Sequence, residues 1–413
     1  MITISPFKAL RPNAEFAKQL ASKPYDVISS REARIEAQGN PLSYLHITKS
    51  EIDLPDTISP YAIEVYKKAK ENLTAFINRN ILFQDSNKYY YIYRLTMPGI
   101  NNLPDHIQTG LVCCSSVNDY ENGLIKKHEH TRPEKEEDRI QHIINTEAQT
   151  GNVFLAYKNL NILDEILLQC ISKRAPIYDF TADDNVNHKI WIVNNAETIE
   201  RITEVFKNDV PCTYIADGHH RAASAAKARK HFKSEEANFF LTTLFPANQL
   251  SIMSYNRVVK DLNGMTTQIF IDQLKLWFHV TESNEPVEPN GPNIFGMYLL
   301  KHWYRLELKK NVESPDLIEN LEVTILQRII LEPLLGIADQ RTDKRIDFVG
   351  GIRGLGELEK RVDSGEMAVA FSIPPVTVEQ LFAISDENKI MPPKSTWFEP
   401  KLRDGLFTHS LNA

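Results

Sequence analysis

Five consecutive residues, Asp217-Gly218-His219-His220-Arg221, bring an acid, a flexible backbone position, two imidazoles and a guanidinium into one short turn. The apolar run from Thr213 to Ala216 ahead of them reads as a strand. The alanine-rich run from Arg221 to Phe232 reads as a helix, because alanine has the best helix propensity. The polar turn therefore sits where a strand hands over to a helix. Free backbone N–H groups and the helix dipole favour negative charge there, and phosphate is the anion these residue types suit. Glycine permits a tight turn and close backbone approach. Arg221 can clamp phosphate oxygens with two parallel hydrogen bonds. His219 and His220 can donate to phosphate, and His220 can transfer a proton near neutral pH. Asp217 can hold a magnesium ion or orient a histidine. A plain helix cap accounts for Asp217 but not for the other three polar residues.

A second constellation runs from Lys126 to Arg139. His128 and Glu129 can supply a metal ligand or a general base, and Thr131 and Arg132 can meet phosphate. Thr131 with Glu134 fits a capping box, Pro133 suits a first helical turn, and Ile140, Ile143 and Ile144 make an apolar face. The i,i+4 pairs Lys135–Arg139 and Glu134–Asp138 are like-charged, and each costs about 0.2–0.5 kcal/mol on an isolated helix. That cost points to partners elsewhere. Lys23 to Ser29 reads as a turn, with Ser29 or Ser30 capping a following helix. Tyr178 to Asp184 reads as a tight turn between strands. Gly350 to Gly356 follows a strand, yet it matches neither G-x-G-x-x-G nor the Walker pattern. No G-x-S-x-G is present to mark a nucleophile elbow.

Helical spacing covers 60–79 and about 132–146, and strands are expected at 88–96, 108–117 and 152–157. Pro98, Gly99 and Pro104 mark the loop between the first two strands. Further strands are expected near 250–255, 294–299 and 302–308. A long helix is expected over 315–331, and a strand–helix–strand unit over 345–373. The 413 residues, 42% hydrophobic and 24% charged, suit a chain of two or three folded parts. A net charge of −7 argues against nucleic acid or anionic membranes as partners. Cys113, Cys114, Cys170 and Cys212 form no C-x-x-C pair and read as free thiols. The N-terminus lacks the basic region and long apolar stretch of a secretory signal, and no run is long enough to span a membrane. A cytoplasmic location is expected.

Several segments together resemble the bacterial domain of unknown function 1015 family. They are Pro6-Phe7-Lys8-Ala9-Leu10-Arg11-Pro12, Pro24-Tyr25-Asp26-Val27, Asn40-Pro41-Leu42-Ser43-Tyr44-Leu45-His46, Asp119-Tyr120-Glu121-Asn122-Gly123, His128-Glu129, Thr131-Arg132-Pro133, Glu136-Glu137-Asp138-Arg139, Tyr178-Asp179-Phe180-Thr181, Ile215 to Arg221, Tyr255-Asn256-Arg257 and Met391 to Thr396. The resemblance covers almost the whole chain. His130 stands where the family pattern has an apolar residue, so it is left out of the site. More distantly, Ile215–Arg221 is similar to the nucleotide-handling box of the ParB/sulfiredoxin-like superfamily, which includes free-serine kinases. That box follows a strand, opens a helix and holds nucleotide phosphates. Sulfiredoxin has a cysteine there, so a sulfur-reducing role is disfavoured.

The residues and the resemblance together give the following expectations. The fold is α/β or α+β, with mixed sheets and flanking helices. Residues 1–246 form a ParB/sulfiredoxin-like, motif-bearing part, and 247–413 form a C-terminal α/β part. The function is that of a nucleotide-dependent phosphotransferase or nucleotide hydrolase. It would act with a small hydroxylated metabolite, for which serine is the analogue. Mg2+ and ATP or ADP are the implied cofactors. Glu129, Asp217 and His220 are the expected catalytic residues. Gly218, His219, His220, Arg221, His128, Thr131 and Arg132 are expected to bind the nucleotide, and Asp217 the metal. The alternatives are a ParB-like nucleic-acid-binding regulator and a non-catalytic nucleotide or anion sensor. All of this requires residues 128–139 to lie beside the helix start at Arg221.

Overall fold

The computed structural model describes residues 1–99, 104–309 and 314–412. The chain forms two compact units, Met1–Leu250 with Pro400–Ala413, and Ser251–Glu399. The sequence reading divides the chain at 246/247 and leaves the C-terminal segment in the second part. In the structure that segment returns to the first unit, where Thr408–Ser410 joins a four-stranded sheet with Ala9–Pro12, Leu82–Gln84 and Ala148–Gln149.

The first unit is built on a large mixed sheet. Its strands are β1 (Ile4–Ser5), β2 (Tyr90–Met97), β3 (His106–Ser116), β4 (Ile125–Lys126), β5 (Val153–Tyr157), β6 (Tyr178–Thr181), β7 (Asn187–Val193), β8 (Thr213–Asp217) and β9 (Phe239–Pro246). Their spatial order is β4-β8-β5-β9-β3-β2-β7-β6, with β1 on β3. The expected loop between β2 and β3 falls partly on residues 100–103, which lie outside the described residues. In β3, Cys113 and Cys114 are both buried on alternate faces. Of the turn expected over Tyr178–Asp184, Tyr178–Thr181 is strand β6, and the turn to β7 begins only at Ala182, where Asn185 N–H donates to the Ala182 carbonyl at 2.9 Å.

Helices α1 (Ser30–Ala37), α2 (Ile63–Asn78), α3 (Pro133–Thr146), α4 (Asn161–Ser172), α5 (Ala196–Asp209) and α6 (His219–Ala228) flank this unit. Ser29 caps α1 in a full capping box with Glu32. At α3 the expected Thr131–Glu134 box does not form. Pro133 holds the preceding residue extended, so Arg132 becomes the N-cap, with φ −91° and ψ 127° and no side-chain cap. The Thr131 hydroxyl turns to Glu136 instead. The core joins Ile140 and Ile143 of α3, Leu163 and Ile166 of α4, Ile202 and Phe206 of α5, and the alanines of α6. Ala222, Ala223, Ala225 and Ala228 are all buried. Their small side chains let α6 lie close against its neighbours.

The second unit is a six-stranded antiparallel sheet that includes Tyr255–Val259, Ile294–Leu299, His302–Leu308 and Ile346–Gly350. The expected strand–helix–strand unit appears as Ile346–Gly350, Leu355–Asp363 and Val369–Ser372. The long helix expected over 315–331 does not form. Ser314 and Asn320 close a turn on each other, with Ser314 N–H donating to Asn320 Oδ1 at 2.8 Å and Asn320 Nδ2 donating to Ser314 O at 2.8 Å. Helix therefore begins only at Glu322 and runs to Leu326, and Gln327–Leu331 follows as a π turn. Among the described residues no helix is long and apolar enough to cross a membrane.

Candidate functional site

Two segments far apart in sequence meet because β4 pairs in parallel with β8, Ile125 opposite Thr213 and Lys126 opposite Tyr214. That pairing carries the chain after Lys126 past the start of α6. The register of β8 against β5 shifts between Ile215 and Asp217. Such a bulge re-aims the side chain beyond it, here Asp217. Gly218 follows with φ +97° and ψ 31°, in the left-handed region that glycine enters without penalty, and it is the N-cap of α6. A glycine cap brings no side-chain oxygen to the first-turn N–H groups.

The rings of His128 and His219 meet edge to face, with centroids 4.4 Å apart. His128 N–H donates to His219 Nε2 at 3.4 Å, and Arg132 N–H donates to His220 Nε2 at 3.0 Å. A backbone N–H can only donate, so both Nε2 atoms are acceptors and both rings carry their proton on Nδ1. His219 Nδ1 lies 3.9 Å from the Glu129 carboxylate. Burial pushes His128 down to about 4 and takes His219 well below its ordinary value, with the neighbouring His128 pushing His219 the same way. His220 is also lowered, by burial first and then by Lys135. All three are neutral donors at pH 7. His130 is exposed, whereas His128 is buried.

Arg221 is 6% exposed. Its Nη2 donates to Asp217 Oδ2 at 2.8 Å and to Asp26 Oδ2 at 3.1 Å, and its Nη1 donates to the Asn152 carbonyl. Burial works against its charge, but Asp26 and Asp217 outweigh burial and hold it protonated. This differs from the expected phosphate clamp. The bidentate edge is spent on two carboxylates, so Arg221 fixes the turn. Burial likewise pushes Asp217 up, yet Lys401 and Arg221 hold its carboxyl well below the usual range. Lys401 Nζ stands 3.7 Å from Asp217 Oδ1.

Asp217 thus faces two cations. Among the described residues no group of three His, Cys, Asp or Glu side chains is arranged to hold a metal ion. The expected metal role of Asp217 does not fit this donor set.

The charge run in α3 has partners beyond its own helix. Glu136 takes Thr131 and Lys227, and Ser224 Oγ donates to the Glu136 carbonyl at 3.0 Å. Asp138 accepts from Tyr66 at 3.0 Å and pairs with Arg139 at 2.8 Å. Arg139 lies over the Tyr25 ring, 4.1 Å from its centroid. Four participants were missed in the sequence: Asp26, Asn152, Lys401 and Asp404, whose buried carboxyl acts on the Arg221 charge. Asp26 sits in the Pro24-Tyr25-Asp26-Val27 segment that reads alone as a turn. The family resemblance there was the available signal. Lys401 and Asp404 come from the C-terminal return, which no local pattern announces.

The family described as Protein of unknown function (DUF1015) matches residues 4–325. No curated protein matches the chain. Among solved structures, the chain is similar to a free serine kinase variant in complex with AMP. Identity there is 12% and TM-score 0.38, covering 73% of this chain and 92% of that one. It is also similar to SbnI with a C-terminal truncation from Staphylococcus aureus, at 10% identity and TM-score 0.38, covering 73% and 88%. A conserved hypothetical protein from Pyrococcus furiosus matches at 14% identity and TM-score 0.35, covering 71% and 93%.

Proposed function

The chain belongs to the DUF1015 family, and for this member we propose a nucleotide-dependent phosphotransferase acting on a small hydroxylated metabolite. The observation that carries this reading is the glycine-capped start of α6, set beside His128, Glu129, Thr131 and Arg132. The first-turn N–H groups and helix dipole offer an anion site for the nucleotide phosphates. His219 and His220, neutral and protonated on Nδ1, act as hydrogen-bond donors and not as cations. Arg221 is a positioning residue that fixes the turn through Asp26 and Asp217.

In the transfer step, the bond from the terminal phosphorus to its bridging oxygen breaks. A bond forms from that phosphorus to the acceptor hydroxyl oxygen, and the hydroxyl proton passes to the Glu129 carboxylate. Magnesium arriving with the nucleotide would neutralise phosphate charge. Serine is the model acceptor, and water in its place would make the protein a nucleotide hydrolase.

The test is to incubate the protein with ATP, magnesium and serine, and to quantify ADP and phosphorylated acceptor. We expect turnover that Glu129→Gln reduces by roughly 10²–10⁴-fold, the range general-base catalysis supplies, with nucleotide binding retained. Nucleotide binding with no ADP from the wild type, with serine or with water alone, would leave a sensor and refute the enzyme.

A further inference from the structure

Beyond the helix start, α6 runs into a strongly basic stretch. Lys227, Arg229, Lys230 and Lys233 follow within one turn and its extension, in a chain whose net charge is −7. Together with Lys127 they line an open cleft of about 980 Å³. That volume lies within the range of small-molecule sites. Tyr120, Ala223, Ala226 and Phe232 add apolar surface to the cleft lining.

Three carboxylates also line it, and each has a partner. Glu136 takes Lys227 and Thr131, Glu121 faces Arg229 at 3.7 Å, and Glu235 accepts from Asn238 at 2.9 Å. Lys127 has its Nζ 4.0 Å from the centre of the Tyr120 ring, and burial lowers its pKa. A cation at a helix C-terminus favours the dipole, which accounts for Lys227. Lys230 and Lys233 lie past the last α-helical residue, Ala228. They are exposed on the cleft rim, and no hydrogen bond or ion pair engages either among the described residues. Uncompensated cations around a concave surface raise the local concentration of anions.

We propose that this cleft is a second anion site, for a small molecule carrying several phosphate charges. It extends along α6 toward its C-terminal end and shares Thr131 with the surroundings of the α6 start. Tyr120 and Phe232 would pack on the organic part of such a ligand, and Lys127, Lys230 and Lys233 would meet its phosphates.

The probe is inorganic tripolyphosphate, titrated calorimetrically into the full chain at low and at moderate salt. We expect binding that weakens as salt rises, because exposed charges are screened. The double variant Lys230→Glu/Lys233→Glu should weaken it at least tenfold. The part of the binding that the double variant weakens should persist in Gly218→Ala, whose added Cβ strains the helix start at φ +97°. Circular dichroism of the double variant checks its fold, and both substitutions are on exposed side chains. Absence of tripolyphosphate binding, or binding untouched by the double variant, would overturn the proposal. So would binding abolished by Gly218→Ala, which would place the anion at the helix start instead.

Discussion

Three neutral imidazoles stand beside one arginine whose charge two aspartates hold in place. This arrangement comes from burial, which disfavours charge on His128, His219 and His220 while ion pairing preserves it on Arg221. Asp404 shows the opposite outcome for a carboxylate. Burial pushes it up to about 7 against the pull of Arg221, from an ordinary value of 3.8. A carboxyl raised in the folded state contributes stability that is complete below its unfolded pKa and is lost as pH rises to about 7. At 1.36 kcal/mol per pH unit the full loss is on the order of 4 kcal/mol. Asp404→Asn removes the titration. We therefore expect the variant to gain on the wild type between pH 5 and pH 8, as measured by urea unfolding at each pH. A gap that stays constant would contradict the assignment. None of this was legible in Asp404 itself, since its neighbours Arg221 and Asp26 are brought to it only by the fold. Asp217, Gly218 and the two histidines were legible, because their types crowd one strand-to-helix turn.

Elements place those residues, and most elements announced themselves through hydrophobic period and turn residues. Strand β8 appears where the apolar run predicts it, and α6 runs from His219 to Ala228, starting two residues before and ending four residues before the expected Arg221–Phe232. The failures are equally local. Pro133 moved the α3 cap by fixing Arg132 as extended, and the Ser314–Asn320 turn delayed a helix until Glu322. What no local pattern could give is the parallel pairing of β4 with β8, which brings His128 to His219. The central strands also depend on close packing that composition does not reveal. A Cβ at Gly110 of β3 would stand 2.7 Å from the Phe245 ring of β9, which in turn packs 4.6 Å from Phe154. Gly110→Ala forces that ring to move, and overpacking of this kind costs about 1–3 kcal/mol. The urea midpoint should fall accordingly with an unchanged m-value, and an unaltered midpoint would show that the sheet yields freely there.

At the level of the whole chain, residues 251–399 form a unit inserted into the first. Its ends are cross-strand neighbours, with Ser251 opposite Glu399, Ile252 opposite Phe398 and Met253 opposite Trp397. A hairpin turn can therefore replace the insertion without separating Leu250 from Pro400. Pro400–Ala413 must stay, because it supplies Lys401 to Asp217, Arg403 to Asp184 and the buried Leu402, Leu406 and Phe407. We expect a chain lacking 251–399 and closed by a short Asn-Gly turn to fold cooperatively in thermal unfolding. Removal of 400–413 should abolish that transition. A non-cooperative excised chain would show that the first unit needs the second. The central claim is that the turn after Ala216 holds a nucleotide. Its most direct test is calorimetric titration of the intact protein with ATP, ADP and CTP, each with and without magnesium, alongside Gly218→Ala. We predict that at least one nucleotide binds and that Gly218→Ala weakens it at least tenfold. Failure of all three to bind, or binding indifferent to Gly218→Ala, would contradict it.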